Sequence, residues 1–220
     1  MIVERVDSFA ALRDEWGALT IHSPFATWEW HDVWWRHFGA GHELELRAVR
    51  TDGALSGVLP LYRSRLGPLH VVRFTGRPQA DEQGPVGAAG PKELLAALAE
   101  IEHDIFLGEQ LPGGEDWPRS LGGRRFRLES GPVIRQPGGW EAYLASRSAN
   151  FRQQLQRRER RLRERHDVVF RLAADPASLD GDLDVLFALH RSRWGEQSGF
   201  APEAFHREFA RLLVKTGRHS

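Results

Sequence analysis

Two titratable side chains have the type and setting that acid–base chemistry requires. His190 lies on a predicted apolar helical stripe, where a neutral imidazole must find a partner or lose solvation, so we expect it to be mostly buried. Asp81 lies in a Gly- and Pro-rich loop after a predicted strand, where a carboxylate can orient or deprotonate an acceptor hydroxyl or amine. We take both as candidate catalytic residues. The alternatives are a satisfied core histidine and a solvated loop carboxylate.

Aromatic and cationic side chains supply candidate substrate contacts. Trp28 and Trp30 open a predicted helix, and an indole face offers a sugar ring a large rigid platform. Tryptophans at helical spacing also form cores, so burial is the alternative for both. Arg152 and Arg193 carry guanidinium groups that suit an anionic acceptor. We take these four residues as candidate substrate-binding residues.

The composition speaks against several other chemistries. The chain has no cysteine, which excludes a disulfide framework, a thiolate nucleophile and any metal site built on sulfur ligands. Its ten histidines show no His-Glu-x-x-His or comparable ligand spacing, so we expect no metal site. No Gly-x-Ser-x-Gly motif occurs, which argues against a serine hydrolase.

One short string matches a pyrophosphate-binding motif. Arg36-His-Phe-Gly39-Ala-Gly41 has the form Gln/Arg-x-x-Gly-x-Gly/Ala that can hold a cofactor pyrophosphate between a strand and a helix. Here the string leaves a predicted helix and enters a predicted strand, and a chain with 22 glycines is expected to contain such a string by chance. We interpret it as a helix C-cap, and the cofactor-binding residues stay unknown.

Opposite charges are segregated along a chain whose 30 basic and 30 acidic residues cancel. Residues 79–116 carry nine acids and one lysine, whereas residues 147–171 carry nine arginines and three acids. The arginine segment has three interpretations: a solvated or lobe-bridging face, a site for an anionic acceptor or cofactor phosphates, and a nucleic-acid site. We favour the first and rank nucleic acid last, because no recognised nucleic-acid motif accompanies the arginines.

Periodicity and turn signals predict the elements that must position these residues. The predicted strands are 2–5, 44–49, 55–63, 69–74, 104–107 and 126–135, and the predicted helices are 8–19, 27–38 and 91–101. Asp52-Gly53 is the strongest hairpin signal, and Pro91 marks a helix start. Strands alternating with helices predict a mixed α/β (α+β) fold.

The pattern changes after Pro137-Gly138-Gly139, the best linker candidate. Beyond it helices dominate, and 168–172 is the one predicted strand. One predicted helix face comprises Leu179, Leu183, Leu186, His190 and Trp194, and the next comprises Phe205, Phe209, Leu212 and Leu213. We divide the chain into lobes 1–138 and 139–220. Because a single strand cannot close a sheet, we expect the helices around Leu183, Trp194, Phe205 and Phe209 to expose apolar surface.

Five stretches, in this order and spacing, resemble one family. They are Phe25-Ala-Thr-Trp-Glu-Trp30 with Trp34-Trp35, Gly57-Val-Leu-Pro-Leu61, Arg73-Phe-Thr-Gly76, Asn150-Phe-Arg-Gln-Gln-Leu155 through Leu162, and Leu189-His-Arg-Ser-Arg-Trp194. The chain resembles the acetyltransferases associated with cellulose biosynthesis (CelD/BcsL-like), a branch of the GNAT superfamily related to FemAB-type peptidyltransferases. The resemblance covers nearly the whole chain.

The resemblance implies two GNAT-like (acyl-CoA N-acyltransferase-like) lobes in a bacterial polysaccharide setting. It implies acetyl-CoA or another acyl-CoA as donor, with transfer to an amine or hydroxyl of a sugar or cell-envelope acceptor. Members of the family usually continue for a further hundred-odd residues. We therefore expect a truncated member with an incomplete second lobe, which binds acetyl-CoA weakly or not at all. The alternative is a non-catalytic glycan or anion binding module.

The sequence also bears on location. Residues 1–11 contain Glu4, Arg5 and Asp7 and lack the basic and apolar regions of a signal peptide. No run approaches the length of apolar sequence that a membrane-spanning helix needs. We expect a cytoplasmic protein with no membrane span, and we leave its oligomeric state open.

Overall fold

The computed structural model describes residues 1–127, 131, 134, 136, 138–173, 175–197, 199, 200 and 202–217. The chain forms two compact units, Met1–Arg124 with Ala174–Ser220, and Arg125–Ala173. The first unit is thus assembled from both ends of the sequence. The division at residue 138 stays a prediction.

A six-stranded mixed sheet forms the centre of the first unit. Its strands are β1 (Ile2–Arg5), β2 (Glu43–Thr51), β3 (Ala54–Leu66), β4 (Leu69–Phe74), β5 (Val86–Gly87) and β6 (Ile105–Phe106). Their order is β1-β2-β3-β4-β6, and β5 pairs with the first part of β3. All pairs are antiparallel except β4 with β6. Asp52 and Gly53 turn β2 into β3 with positive φ angles of 51° and 84°, as the hairpin signal predicts.

Eight α-helices surround or follow this sheet in the described residues. They are α1 (Arg13–Trp16), α2 (Trp28–Phe38), α3 (Pro91–Glu100), α4 (Trp117–Ser120), α5 (Gly139–Ala145), α6 (Ala149–Arg165), α7 (Pro176–Trp194) and α8 (Glu203–Thr216). The Thr27 side chain caps α2 by accepting from the backbone N–H of Trp30, and Pro91 occupies the first turn of α3. Gly39 is the C-cap of α2, as its sequence context predicts. The mixed α/β fold class is therefore confirmed.

The sheet is covered on both faces. One face packs Leu46, Ala48 and Val58 against side chains from the start of the chain and from α2. The other packs its apolar side chains, Leu59 and Leu61 among them, against α3. Polar residues that alternate with apolar ones in β2 are typical of a strand with one solvent-exposed face. Coverage of both faces instead buries two of them, Glu45 and Arg47.

An ion pair is therefore buried in β2. Glu45 and Arg47 stand opposite Leu61 and Leu59 in the register, on the face that α3 covers. They are only 4% and 3% exposed, and Arg47 Nη2 donates to Glu45 Oε2 at 2.9 Å. Burial of two charges is tolerated because each has the other within hydrogen-bond distance.

Helix α8 packs on α2, although the two are far apart in sequence. The Phe205 ring centroid lies 5.1 Å from that of Trp30, and His37 Nε2 lies 2.6 Å from Glu208 Oε2. Arg36 also pairs with Glu208. Burial alone would raise the pKa of the Glu208 carboxyl, but the hydrogen bonds from His37 and Arg36 outweigh it and lower that pKa. Both polar and aromatic contacts thus fix α8.

This packing corrects the expectation of exposed apolar helices. Phe205 is fully buried and Leu183 is buried, while Phe209 is half-buried and only Trp194 is half exposed. The expectation was wrong for Leu183 and Phe205 because α7 and α8 belong to the same compact unit as the six-stranded sheet. Their apolar side chains are buried there without a second sheet.

The buried face of α7 also differs from the predicted one. It consists of Leu179, Leu183 and Phe187, whereas Leu186 and Trp194 are 41% and 50% exposed. Phe187 sets this orientation, because its ring meets Phe200 at 5.8 Å and lies under the guanidinium of Arg207 at 5.1 Å.

The second unit holds α5 and α6, and the strand predicted at 168–172 is absent there. Val169, Phe170 and Leu172 are instead 80%, 87% and 67% exposed. The prediction was wrong because no neighbouring strand in the described part of this unit can accept the backbone hydrogen bonds.

The strand predicted at 126–135 lies largely outside the described residues. Its described members Phe126 and Ile134 are exposed and not in a strand. Pro137 of the predicted linker also lies outside them. Ser148 caps α6 by accepting from the backbone N–H of Phe151.

No helix in the described portion of the chain is long and apolar enough to cross a lipid bilayer.

A substitution at Gly57 tests how closely β5 and the residues after it approach β3. A Cβ at this position would lie 2.5 Å from the backbone N of Ala89 and 3.0 Å from the carbonyl O of Val86. We expect Gly57→Ala to lower the free energy of unfolding by about 1–3 kcal/mol, because backbone must move to admit the methyl group. Urea unfolding measures this, with Gly113→Ala as the control because that position meets open space. Equal stability of the two variants would contradict the packing described.

Candidate functional site

Buried polar side chains converge where the loop 75–85 leaves β4 and meets the start of α2. Thr75 and Gln83 in the loop, and His31 in the helix, are all buried. Buried polar groups need internal partners, and their concentration in one place distinguishes this part of the sheet unit. Asp81 lies in the same loop, exposed to solvent.

His31 is held as a neutral imidazole. Its Nδ1 lies 2.7 Å from Thr75 Oγ1, and its ring stacks on Phe9 with centroids 5.9 Å apart. Burial lowers the pKa of His31 to about 3. Nε2 of the ring is buried and has no hydrogen-bond partner in the described residues. At neutral pH this histidine is therefore uncharged, and it is too weak a base for efficient proton abstraction.

Trp30 faces the loop beside His31. Its Nε1 is buried without a hydrogen-bond partner in the described residues, and its ring meets Phe25 edge-on at 4.8 Å. Gly76 brings the loop close, since a Cβ there would lie 3.0 Å from Ala80 Cβ and 3.5 Å from Trp30 Nε1. The φ of Gly76 is 122°, a conformation that favours glycine.

A small cleft opens next to these groups. Its volume is about 20 Å³, enough for about one water molecule. The lining residues are Phe25, Ala26, Glu82, Gln83, Gly84, Pro85, Val86 and Pro112. Two of them connect it to the buried cluster, since Phe25 packs on Trp30 and Gln83 packs on Gly76. The cleft accepts one small polar group, and anything larger must rest on its rim.

Ion pairs and hydrogen bonds brace the loop. Arg73 and Arg77 both bind the carboxylate of Glu109, the second with Nε 2.9 Å from Oε1. The backbone N–H of Gln83 donates to the carbonyl of Gln110 at 3.0 Å. The loop is therefore anchored at both ends.

The structure places Trp28 in the core. It is buried, its Nε1 donates to the carbonyl of Phe9 at 2.7 Å, and the guanidinium of Arg13 lies 4.9 Å from its ring centroid. This placement favours the core alternative for Trp28, and the substrate-binding roles of Trp28 and Trp30 stay predictions. Trp30 is equally buried and contacts the cleft only through its neighbours.

The other predicted site residues lie elsewhere. His190 is half-buried on α7, with its ring 4.8 Å from Phe200 and 6.0 Å from Trp194. The guanidinium of Arg193 lies 5.2 Å over the Trp194 ring. Arg152, in the second unit, donates to the backbone carbonyl of Arg147. The catalytic roles of Asp81 and His190 and the substrate-binding roles of Arg152 and Arg193 stay predictions.

Sequence reasoning did not single out His31, Thr75 or Gln83. A histidine within a tryptophan-rich helix and a Thr-Gly pair after a strand were visible signals. Their convergence was not, because His31 and Thr75 are 44 residues apart and meet only through the fold.

Two helix ends do not fit the pyrophosphate of acyl-CoA. Such a group needs open N–H groups where a strand leads into a helix. In the described part of 149–219 no strand is present. Asp175 is the N-cap of α7, and its carboxylate accepts from the backbone N–H of Ala177. The string at Arg36 caps the end of a helix. Neither of these two helix ends therefore provides a binding site for the pyrophosphate.

Among the described residues, no group of three or more metal-ligating side chains is placed to hold a metal ion.

The comparisons with known proteins give one match. Residues 149–219, roughly a third of the chain, match the family model of an acetyltransferase (GNAT) domain. This match supports the GNAT superfamily and a generic acyltransferase function, and GNAT domains use acetyl-CoA. Neither the curated proteins nor the solved structures contain a match.

Proposed function

We propose that the protein is an acyltransferase of the cellulose-biosynthesis (CelD/BcsL-like) branch of the GNAT superfamily, related to FemAB-type transferases. It moves an acyl group, acetyl first of all, from acyl-CoA to an amine or hydroxyl of a sugar or cell-envelope acceptor. The observation that carries this proposal is the match of residues 149–219 to a GNAT acetyltransferase domain.

The cleft supports the acceptor side of the proposal. A small group of the acceptor enters the space lined by Phe25 and Gln83, and the remainder lies on the exposed rim that carries Asp81 and Glu82. The Asp81 carboxylate then takes a proton from the acceptor amine or hydroxyl as it attacks. His31 supports this arrangement by fixing Thr75, not by exchanging protons.

Release of the CoA thiol tests this function. Because the chain has no cysteine, a thiol reagent detects free CoA without a protein background. With acetyl-CoA near millimolar, since its binding is expected to be weak, we expect thiol release that depends on an amino sugar such as glucosamine. Asp81→Asn should slow that release about 100-fold or more, and Asp14→Asn, an exposed acid on α1, should not.

Two outcomes would contradict the proposal. Amino-sugar binding without any thiol release would favour a non-catalytic glycan binding module. Equal rates for Asp81→Asn and the parent chain would remove Asp81 as the base.

A further inference from the structure

The second unit, residues 125–173, has apolar side chains but no buried core in its described part. Its large exposed apolar residues are Phe126, Ile134, Trp140, Phe151, Leu162, Val169, Phe170 and Leu172. Monomeric proteins rarely expose so many together unless the surface meets another molecule. The second unit therefore presents a surface for another molecule.

Helix α6 carries apolar and cationic side chains on adjoining parts of one face. At 3.6 residues per turn, Phe151, Leu155 and Leu162 fall within a sector about 40° wide. Arginines occupy the next roughly 100° on one side of that sector. They are Arg157, Arg158, Arg161 and Arg165. We call these seven residues the docking face.

The two acids of α6 lie at the edges of the docking face, and each is paired with an arginine outside it. Glu159 binds Arg163 at 3.1 Å, and Glu164 lies 3.7 Å from Arg160. In the described part of the chain, no ion pair reaches the four arginines of the docking face. Helix α6 contains seven arginines and two glutamates, which gives it a net charge of plus five. The four arginines of the docking face lie beside the apolar stripe.

We propose that the docking face binds the surface of a lipid bilayer that contains anionic headgroups. Such a surface offers acyl chains to the apolar stripe and phosphates to the arginines at once. A nucleic-acid duplex presents phosphates without an apolar layer, and a neutral bilayer lacks the anionic charge. The protein is thus a peripheral membrane protein through α6.

Aromatic residues just before α6 fit the same surface. Trp140 is about half exposed and stacks on Tyr143 with centroids 5.6 Å apart. The guanidinium of Arg147 lies 4.9 Å from the Tyr143 ring centroid. Tryptophan and tyrosine are enriched where bilayers meet water, because each combines an apolar body with a polar edge.

Vesicle flotation of the full chain tests the proposal with two charge-matched variants. Phosphatidylcholine vesicles that contain phosphatidylglycerol should bind the parent chain, and vesicles of phosphatidylcholine alone should not. Arg157→Gln/Arg161→Gln should weaken binding roughly 30-fold, since each arginine at an anionic leaflet contributes about a fivefold factor. Arg160→Gln/Arg163→Gln removes the same charge from the opposite side of α6 and should weaken it less than about threefold.

A fluorescent label reports which side of α6 meets the lipid. The chain lacks cysteine, so Gln154→Cys beside the docking face and Gln156→Cys on the far side each accept a polarity-sensitive dye at one position. Anionic vesicles should shift the emission of the dye at 154 to the blue and leave the dye at 156 unchanged.

The proposal is overturned by equal losses for the two arginine pairs, by equal dye shifts, or by equal binding to neutral vesicles. Binding to a DNA duplex with the same dependence on Arg157 and Arg161, and none to vesicles, would identify nucleic acid as the partner instead.

Discussion

Lowering the pH from 7 to 5 should reduce the free energy of unfolding by about 2 kcal/mol through His31 alone. An unfolded histidine binds a proton below about pH 6.5, whereas burial holds the pKa of folded His31 at about 3. Between these values the unfolded state binds more protons, so stability falls as the pH falls, by up to about 1.4 kcal/mol per pH unit. Urea unfolding across this range measures the slope.

Two substitutions separate His31 from other histidines. His31→Asn places a neutral amide near the position of Nδ1, facing Thr75 Oγ1, and should flatten the slope between pH 6.5 and 5. His22→Asn, at an exposed position, should leave it unchanged. Burial also lowers the pKa of His206, partly offset by a backbone hydrogen bond at Gly199, so a residual slope is expected. An unaltered slope in His31→Asn would show that His31 is not the buried neutral group described.

Arg47→Met should lower the free energy of unfolding by about 3–5 kcal/mol, because it leaves the Glu45 carboxylate buried without its partner. The double variant Glu45→Leu/Arg47→Met should instead stay close to the parent or exceed it, since a buried ion pair can be replaced by apolar groups of similar volume. Urea unfolding of the parent, both single variants and the double variant measures the coupling.

A surface ion pair provides the control for this cycle. Glu159 and Arg163 in α6 are 58% and 62% exposed, so Arg163→Met should cost less than about 1 kcal/mol. If Arg47→Met is as mild as Arg163→Met, the Glu45–Arg47 pair is hydrated and α3 does not cover this face.

Local signals in the sequence predicted most of the sheet unit. Asp52-Gly53 sets a hairpin through its own backbone preferences, and Pro91 starts α3 because its fixed φ suits the first turn of a helix. These features depend on neighbours in sequence, which is why they could be read before the fold was known. The strand predicted at 168–172 failed because a strand needs a partner that its own sequence cannot supply.

The candidate site depends on contacts that sequence patterns do not carry. Asp81 could be assigned to a loop from glycine and proline content alone, but the burial of His31 requires β4, α2 and the first helical turns to meet. Likewise Leu186 and Phe187 both fit an apolar face of α7. Phe187 is the buried one because its ring packs against Phe200 and Arg207, and both of these residues come later in the chain.

Helix α8 packs against α2 and completes the first unit. His37 and Glu208, which join the two helices, are 171 positions apart in the sequence. The second unit is inserted between the two parts of the first. Residues 125–173 therefore link those parts covalently but belong to a separate compact unit. Fragments 1–124 and 174–220 consequently carry complementary surfaces, an aromatic socket around Trp30 and the Phe205 side chain that fills it. Side-chain packing and ion pairs therefore join the two pieces of the first unit, in addition to the chain that links them.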